Sequence, residues 1–137
     1  MSQTLRIELI GLPDKRLGEN STRRMSWREY AKLKAEERDR WWGLLKEASF
    51  NIPVWLMAHD GPVAVIIILK GTGNRIDAPN WAGNVSLKSL VDMLGEKHGL
   101  GIIKDDSPRH LKPFTVHVEP DGEPMTVVEV TAHDHRR

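Results

Sequence analysis

Residues 62–71 read PVAVIIILKG, and the fold turns on them. Seven consecutive apolar residues, most of them β-branched, stand between a proline and a glycine. Branching at Cβ restricts a side chain in a helix but packs well on a pleated surface, so the run predicts a β-strand. Its lack of polar alternation predicts burial on both faces. The same run is far too short to cross a bilayer, which takes about 20 apolar residues in a helix.

Outward from this strand, the remaining elements follow from periodicity. TLRIELIG (4–11) alternates apolar and polar residues and predicts an opening strand. LPDKRLGENSTRR (12–24) reads as a turn-rich, basic loop. In SWREYAKLKAEERDRWWGLLKEA, Ser26 and Glu29 have the spacing of a capping box. Tyr30, Leu33, Glu37, Trp41, Leu44, Leu45 and Ala48 then trace one helical face, with Glu37 as its single polar member. A helix is predicted over 27–48. NIPVWLMAHDGP, broken by Pro53, suits an edge strand or an irregular segment.

After the apolar strand, GTGNRIDAPNWAGN predicts a loop. SLKSLVDMLGEKHG predicts a short helix with Leu87, Leu90, Val91 and Leu94 facing the core. GIIKDDSPRHL is turn-like. PFTVHVEPDGEPMTVVEVTAH reads as two strands joined by a PDGEP turn, a β-hairpin. The order of elements predicts a single α+β domain over 1–137, a mixed β-sheet packed against two helices.

Composition narrows the chemistry. The chain of 137 residues suits one core, and 39% hydrophobic with 28% charged residues is the balance of a soluble globular protein. The absence of cysteine excludes disulfides, thiolate metal sites and cysteine nucleophiles. MSQTLRIELIGLPDKR has neither the apolar core nor the cleavage site of a signal peptide, so the expectation is a cytoplasmic protein without membrane attachment. The net charge of +1 carries no global mark of a nucleic-acid binder. Yet residues 15–28 hold Lys15, Arg16, Arg23, Arg24 and Arg28 against the single acid Glu19. Such a segment attracts phosphates locally, and Trp27 beside it offers an aromatic face to a base or to the protein interior.

The acids lie further along. Asp77 follows the apolar strand, Asp92 sits on the next helix four residues after Lys88, and Asp105 and Asp106 follow that helix. A strand–loop–helix–loop path is able to gather them at one end of the helix. Clustered carboxylates repel unless a cation or protons neutralise them. A hard divalent ion such as Mg²⁺ takes carboxylate oxygens and water, and its usual task in such sites is phosphoryl chemistry. The competing readings are plain ones: Asp106-Ser107-Pro108 is good turn chemistry, Lys88 and Asp92 suit a surface ion pair, and Trp81 suits core packing. His133 and His135 would share a side if the last strand continued, or belong to a frayed terminus.

The ordered set of VAVIIIL, Asp77 with Asn80, Lys88 with Asp92, and GIIKDD ending at Asp106 resembles the RusA family of Holliday-junction resolvases, in particular divergent members from phages and actinobacteria. The resemblance implies a homodimeric, Mg²⁺-dependent endonuclease (with Mn²⁺ as a substitute) that nicks opposed strands of four-way DNA junctions in recombination and repair. By residue it implies Asp77 and Asp106 as principal metal ligands, Asp92 and Asp105 as further ligands, Lys88 as catalytic cation, and Asn80 as an orienting group. Family members carry a second acid two residues after the first, where this chain has Pro79, and GNVS lengthens the path to Lys88. Two other classes fit the same residues: a branched-DNA-binding phage protein with little or no cleavage, and a metal-dependent hydrolase of a small phosphate ester.

Overall fold

The computed structural model describes residues 3–48, 63–73, 81, 83–95 and 114–132. Its elements run β1 (Gln3–Ile10), a 3-10 turn (Lys15–Leu17), α1 (Glu19–Thr22), α2 (Trp27–Ala48), β2 (Val63–Lys70), α3 (Val85–Met93), β3 (Thr115–Glu119) and β4 (Met125–Ala132). The segment 49–62, with its possible edge strand, lies outside the described residues.

The strands form one mixed sheet in the order β1-β4-β2-β3, with β4 antiparallel to both β1 and β2, and β3 parallel to β2. The α+β class, the mixed sheet and the two main helices are as expected. The hairpin is not. β3 and β4 are adjacent in sequence, yet β2 lies between them. Five residues, 120–124, therefore bridge two strand spacings, about 10 Å, and pass over the end of β2. Gly71 N–H donates to Glu119 O at 2.8 Å, and Gly73 N–H to Pro120 O at 3.1 Å. The apolar run takes a central place in the sheet because only there are its backbone groups paired on both sides.

One face of the sheet carries the core. Leu5, Ile7 and Leu9 of β1, Val128 and Val130 of β4, and Val63, Val65, Ile67 and Leu69 of β2 are buried. They pack beneath Trp41 and Leu45 of α2 and Leu87, Leu90, Val91, Met93 and Leu94 of α3. β2 is not buried on both faces as its sequence suggests: burial alternates along it, with Ala64, Ile66 and Ile68 half-buried on the other side. On that open face Thr4, Arg6, Glu8 and Ile10 of β1 are exposed. The second face is thus partly covered along β2, where Val127 of β4 beside Ile68 is fully buried, and is exposed along β1.

The helices form where the spacing places them. Ser26 Oγ accepts from Glu29 N–H at 3.2 Å and caps α2. Leu33, Glu37, Trp41 and Leu45 are its buried positions. Trp42 is half-buried and packs against the core margin. The region 12–24, expected as loop, contains the 3-10 turn and α1, because Asp14 caps the turn through Arg16 N–H.

Gly71 marks the crossing. Its φ of +71° is a conformation that side chains rarely adopt, and a Cβ there would meet Gly122 O and Pro124 N at 2.7 Å. Gly71→Ala is expected to destabilise the fold by about 2–4 kcal/mol, from left-handed strain plus backbone collision. Urea unfolding at neutral pH checks this, with Gly73→Ala as comparison: Gly73 shares the φ of +71° but its Cβ would meet nothing within 4 Å.

Candidate nucleic-acid interface

The basic segment is held to the body of the protein through Asp14. Its backbone N–H donates to Glu37 Oε1 at 2.8 Å, and its carbonyl accepts from Asn84 Nδ2 at 2.9 Å. Its side chain accepts from Arg16 N–H at 2.9 Å and pairs with Arg16 Nη2 at 2.7 Å. Asn84 also caps α3, its Oδ1 accepting from the N–H groups of Ser86 and Leu87 at 2.8 and 3.3 Å. Loop, α2 and the start of α3 are therefore fixed to one another.

Glu37 is the centre of this network. Besides Asp14 N–H, its carboxylate accepts from Arg40 Nε at 2.6 Å, Arg40 Nη2 at 2.8 Å and Ser86 Oγ at 2.7 Å. Trp41 Nε1 donates to Ser86 Oγ at 2.9 Å, and Arg40 Nη2 donates to Leu12 O at 2.9 Å while the guanidinium stacks 4.1 Å from the Trp41 ring centroid. Burial pushes the Glu37 carboxyl up, but the hydrogen bonds from Arg40, Ser86 and Asp14 outweigh it and hold the group below its ordinary value of 4.5. The Arg16 hydrogen bonds hold the Asp14 carboxyl below its ordinary 3.8 against a smaller opposing effect of burial. Sequence showed Glu37 only as a polar interruption, Asn84 only as a member of an insertion, and Ser86 as the start of the next helix without a partner for its hydroxyl. A carboxylate at a core position of an amphipathic helix was the available signal.

The expected DNA contacts lie on this frame. Lys15, Arg16, Arg23, Arg24 and Arg28 are all exposed. Arg16 is committed to Asp14, so its charge is partly spent inside the loop. Trp27 stands 80% exposed, so of the two readings open in the sequence it does not take the one of packing into this chain's interior. It opens a shallow groove of about 510 Å³ along α2, lined also by Tyr30, Ala31, Lys34 and Arg38, with Asp39 at its edge. Trp27 begins α2, directly after the Ser26 cap.

Of the expected catalytic set, Lys88 and Asp92 are exposed on α3, facing away from its buried Leu87, Leu90 and Val91. Among the described residues no ion pair joins them, so the expected surface pair is not formed. Asp77, Asn80, Asp105 and Asp106 lie outside the described residues, as do His133 and His135. No group of three metal-ligating side chains converges among the described residues. Trp81, next to Asn80 in sequence, is buried as expected, and its Nε1 has no partner among the described residues. No described helix is long and apolar enough to cross a membrane.

No protein-family model matches the chain, and no curated protein matches it.

The network makes a prediction about acid stability. A carboxyl held below its ordinary value stabilises the fold above that value and loses the contribution as pH falls through the folded-state value. Glu37→Gln is expected to cost about 3 kcal/mol near neutrality, because an amide N–H₂ faces the Arg40 donors and leaves that charge unpaired. It is also expected to flatten the loss of stability below pH 4.5. Denaturant unfolding of both proteins across a pH series measures both effects.

Proposed function

We propose that the protein is a metal-dependent endonuclease acting on branched DNA, and on four-way junctions in particular. The observation that carries this reading is the anchoring of an exposed basic arc, ending at an exposed tryptophan, against the N-cap of the helix that presents Lys88 and Asp92. Basic side chains on a fixed loop neutralise successive backbone phosphates. An exposed indole at the end of that arc suits stacking on a base exposed at a branch point.

Asp77, Asp106, Asp105 and Asp92 would hold the Mg²⁺ or Mn²⁺, which supplies charge neutralisation and a lowered water pKa. The set of donors is all carboxylate, the hard-oxygen chemistry such an ion takes. The Lys88 ammonium, exposed and without a carboxylate partner among the described residues, is available to a phosphate oxygen. Hydrolysis with departure of the 3′ oxygen leaves 5′-phosphate and 3′-hydroxyl ends. Paired nicks need two such sites, which a two-fold homodimer provides on a two-fold junction.

The test is cleavage of a synthetic four-way junction beside a linear duplex of the same sequence, with Mg²⁺ and with chelator. Symmetric nicks in the junction alone, lost with chelator and in Asp77→Asn or Asp106→Asn, are the expected outcome. Tight junction binding without nicks in any metal identifies a binding protein and assigns the missing chemistry to Pro79. Turnover of small phosphate esters without salt-sensitive DNA binding removes the DNA reading altogether.

Binding divides by residue. Arg24→Ala with Arg28→Ala is expected to lower affinity on every DNA and to reduce the slope of log K against log salt by about two. Trp27→Ala is expected to weaken junction binding by about 1–3 kcal/mol with little change on intact duplex. Fluorescence anisotropy titrations at several salt concentrations separate these effects. The thermal midpoint of Trp27→Ala should stay at the wild-type value, since the side chain covers little of the core.

A further inference from the structure

The outer edge of β1 has no neighbouring strand among the described residues. A groove of about 400 Å³ follows it, lined by residues 6–10 and by Leu44, Glu47 and Ala48 of α2. Consecutive residues from both faces of the strand line it, so the groove runs along the rim of the sheet and not over one side. Alternate residues of an edge strand point their N–H and C=O groups outward, ready to pair with another strand.

We propose that a second copy of this chain occupies this edge, with the two β1 strands pairing antiparallel about Ile7 to make one continuous eight-stranded sheet. The sequence of β1 selects that register. Centred on Ile7, Leu5 lies opposite the partner's Leu9 and Ile7 opposite the partner's Ile7, which continues the buried, helix-covered row. On the open face Arg6 lies opposite the partner's Glu8, twice by symmetry. Centring on Arg6 sets Arg6 against itself, and centring on Glu8 sets Glu8 against itself. A shift by one residue turns the Leu5–Ile7–Leu9 row to the wrong face.

The charges stand exposed enough to reach a partner strand. Arg6 and Glu8 are 43% and 55% exposed, and Arg6 Nε stands 3.9 Å from Glu8 Oε1, too far for a hydrogen bond. Arg6 Nη1 is bound at 3.1 Å to Glu129, on the β4 side. In the dimer each Arg6 then lies between Glu129 of its own chain and the partner's Glu8, a row of alternating charge across the seam. Charged residues on an edge more often repel a second strand, and like charges do so in every register. One arginine and one glutamate two residues apart attract in this single symmetric register. The proposal does not depend on nuclease activity, since it concerns β1 and not the acids.

Sedimentation equilibrium with single charge reversals tests it. Wild type is expected to dimerise. Arg6→Glu sets acids at positions 6 and 8, Glu8→Arg sets arginines there, and each alone is expected to dimerise roughly ten- to a hundredfold more weakly. An equimolar mixture of the two is expected to recover a wild-type-like heterodimer, because every facing pair is again opposite in charge. Hydrogen exchange on wild type needs no variant: β1 amides should gain protection with rising protein concentration. A wild-type protein that stays monomeric, a dimer indifferent to both reversals, a folded pair that fails to recover on mixing, or β1 protection independent of concentration in the dimerising range overturns the proposal. Loss of junction cleavage with dimerisation intact overturns the functional reading and leaves this one standing.

Discussion

A buried carboxylate with four hydrogen-bond donors is the constraint around which the helical layer is built. Glu37 faces inward from α2 among leucines and a tryptophan, where an unpaired charge would be prohibitive. Arg40 meets it from the next turn, Ser86 from α3 and Asp14 from the loop after β1. Each donor comes from a different stretch of chain, so satisfying one charge fixes three segments at once. Arg40 keeps contact with water at 33% side-chain exposure, which limits the desolvation that the pair has to overcome. The network is therefore better understood as positional than as a large source of net stability. It sets where the basic loop sits relative to α3.

That constraint explains why this part of the molecule was only half legible. The amphipathic period showed α2 to the residue, because seven positions repeat at helical spacing and only burial produces that pattern. Glu37 broke the pattern, and its reason lay nearly fifty residues away in Ser86, beyond any local reading. Asn84 looked like inserted loop, although an asparagine two residues before Ser86, the head of the predicted helix, has the chemistry of a helix cap. The 3-10 turn hid for a similar reason: it depends on Asp14, which is itself held by distant partners.

The sheet was legible in its strands and not in its order. Alternation identified β1, β3 and β4, and the apolar run identified β2. The strands flanking PDGEP are near enough in sequence for a hairpin, and local rules favour one. What overrides them is the demand of β2 for partners on both edges, which the order β1-β4-β2-β3 meets by placing β4 on one side and β3 on the other. The five-residue connection is long enough to cross its end, and Gly71, with no room for a Cβ, is the imprint of that crossing. Pairing on both edges and cover on the faces leave the same apolar signature, and the structure shows β2 fully buried on one face and only half-buried on the other.

Lys88 and Asp92 carry the argument about the site furthest. On a helix, an acid followed four residues later by a lysine is the favourable order, and here the order is reversed. Asp92 also stands one residue from the end of α3, where the carbonyl ends of the helix make a negative charge unfavourable by some tenths of a kcal/mol. Leu94 and Gly95 N–H groups close on the Asp92 carbonyl and not on its carboxylate. The lysine gives no relief, since the two do not pair. An exposed acid set against its helix dipole, beside an uncommitted lysine, adds nothing to folding that asparagine would not supply. A cation held nearby would reverse the sign of that local energy at Asp92, and a phosphate would give Lys88 the partner it lacks among the described residues. The unfavourable placement of Asp92 on its helix would thus be offset if the proposed metal–phosphate substrate were bound, which is what the nuclease reading asks of these two residues.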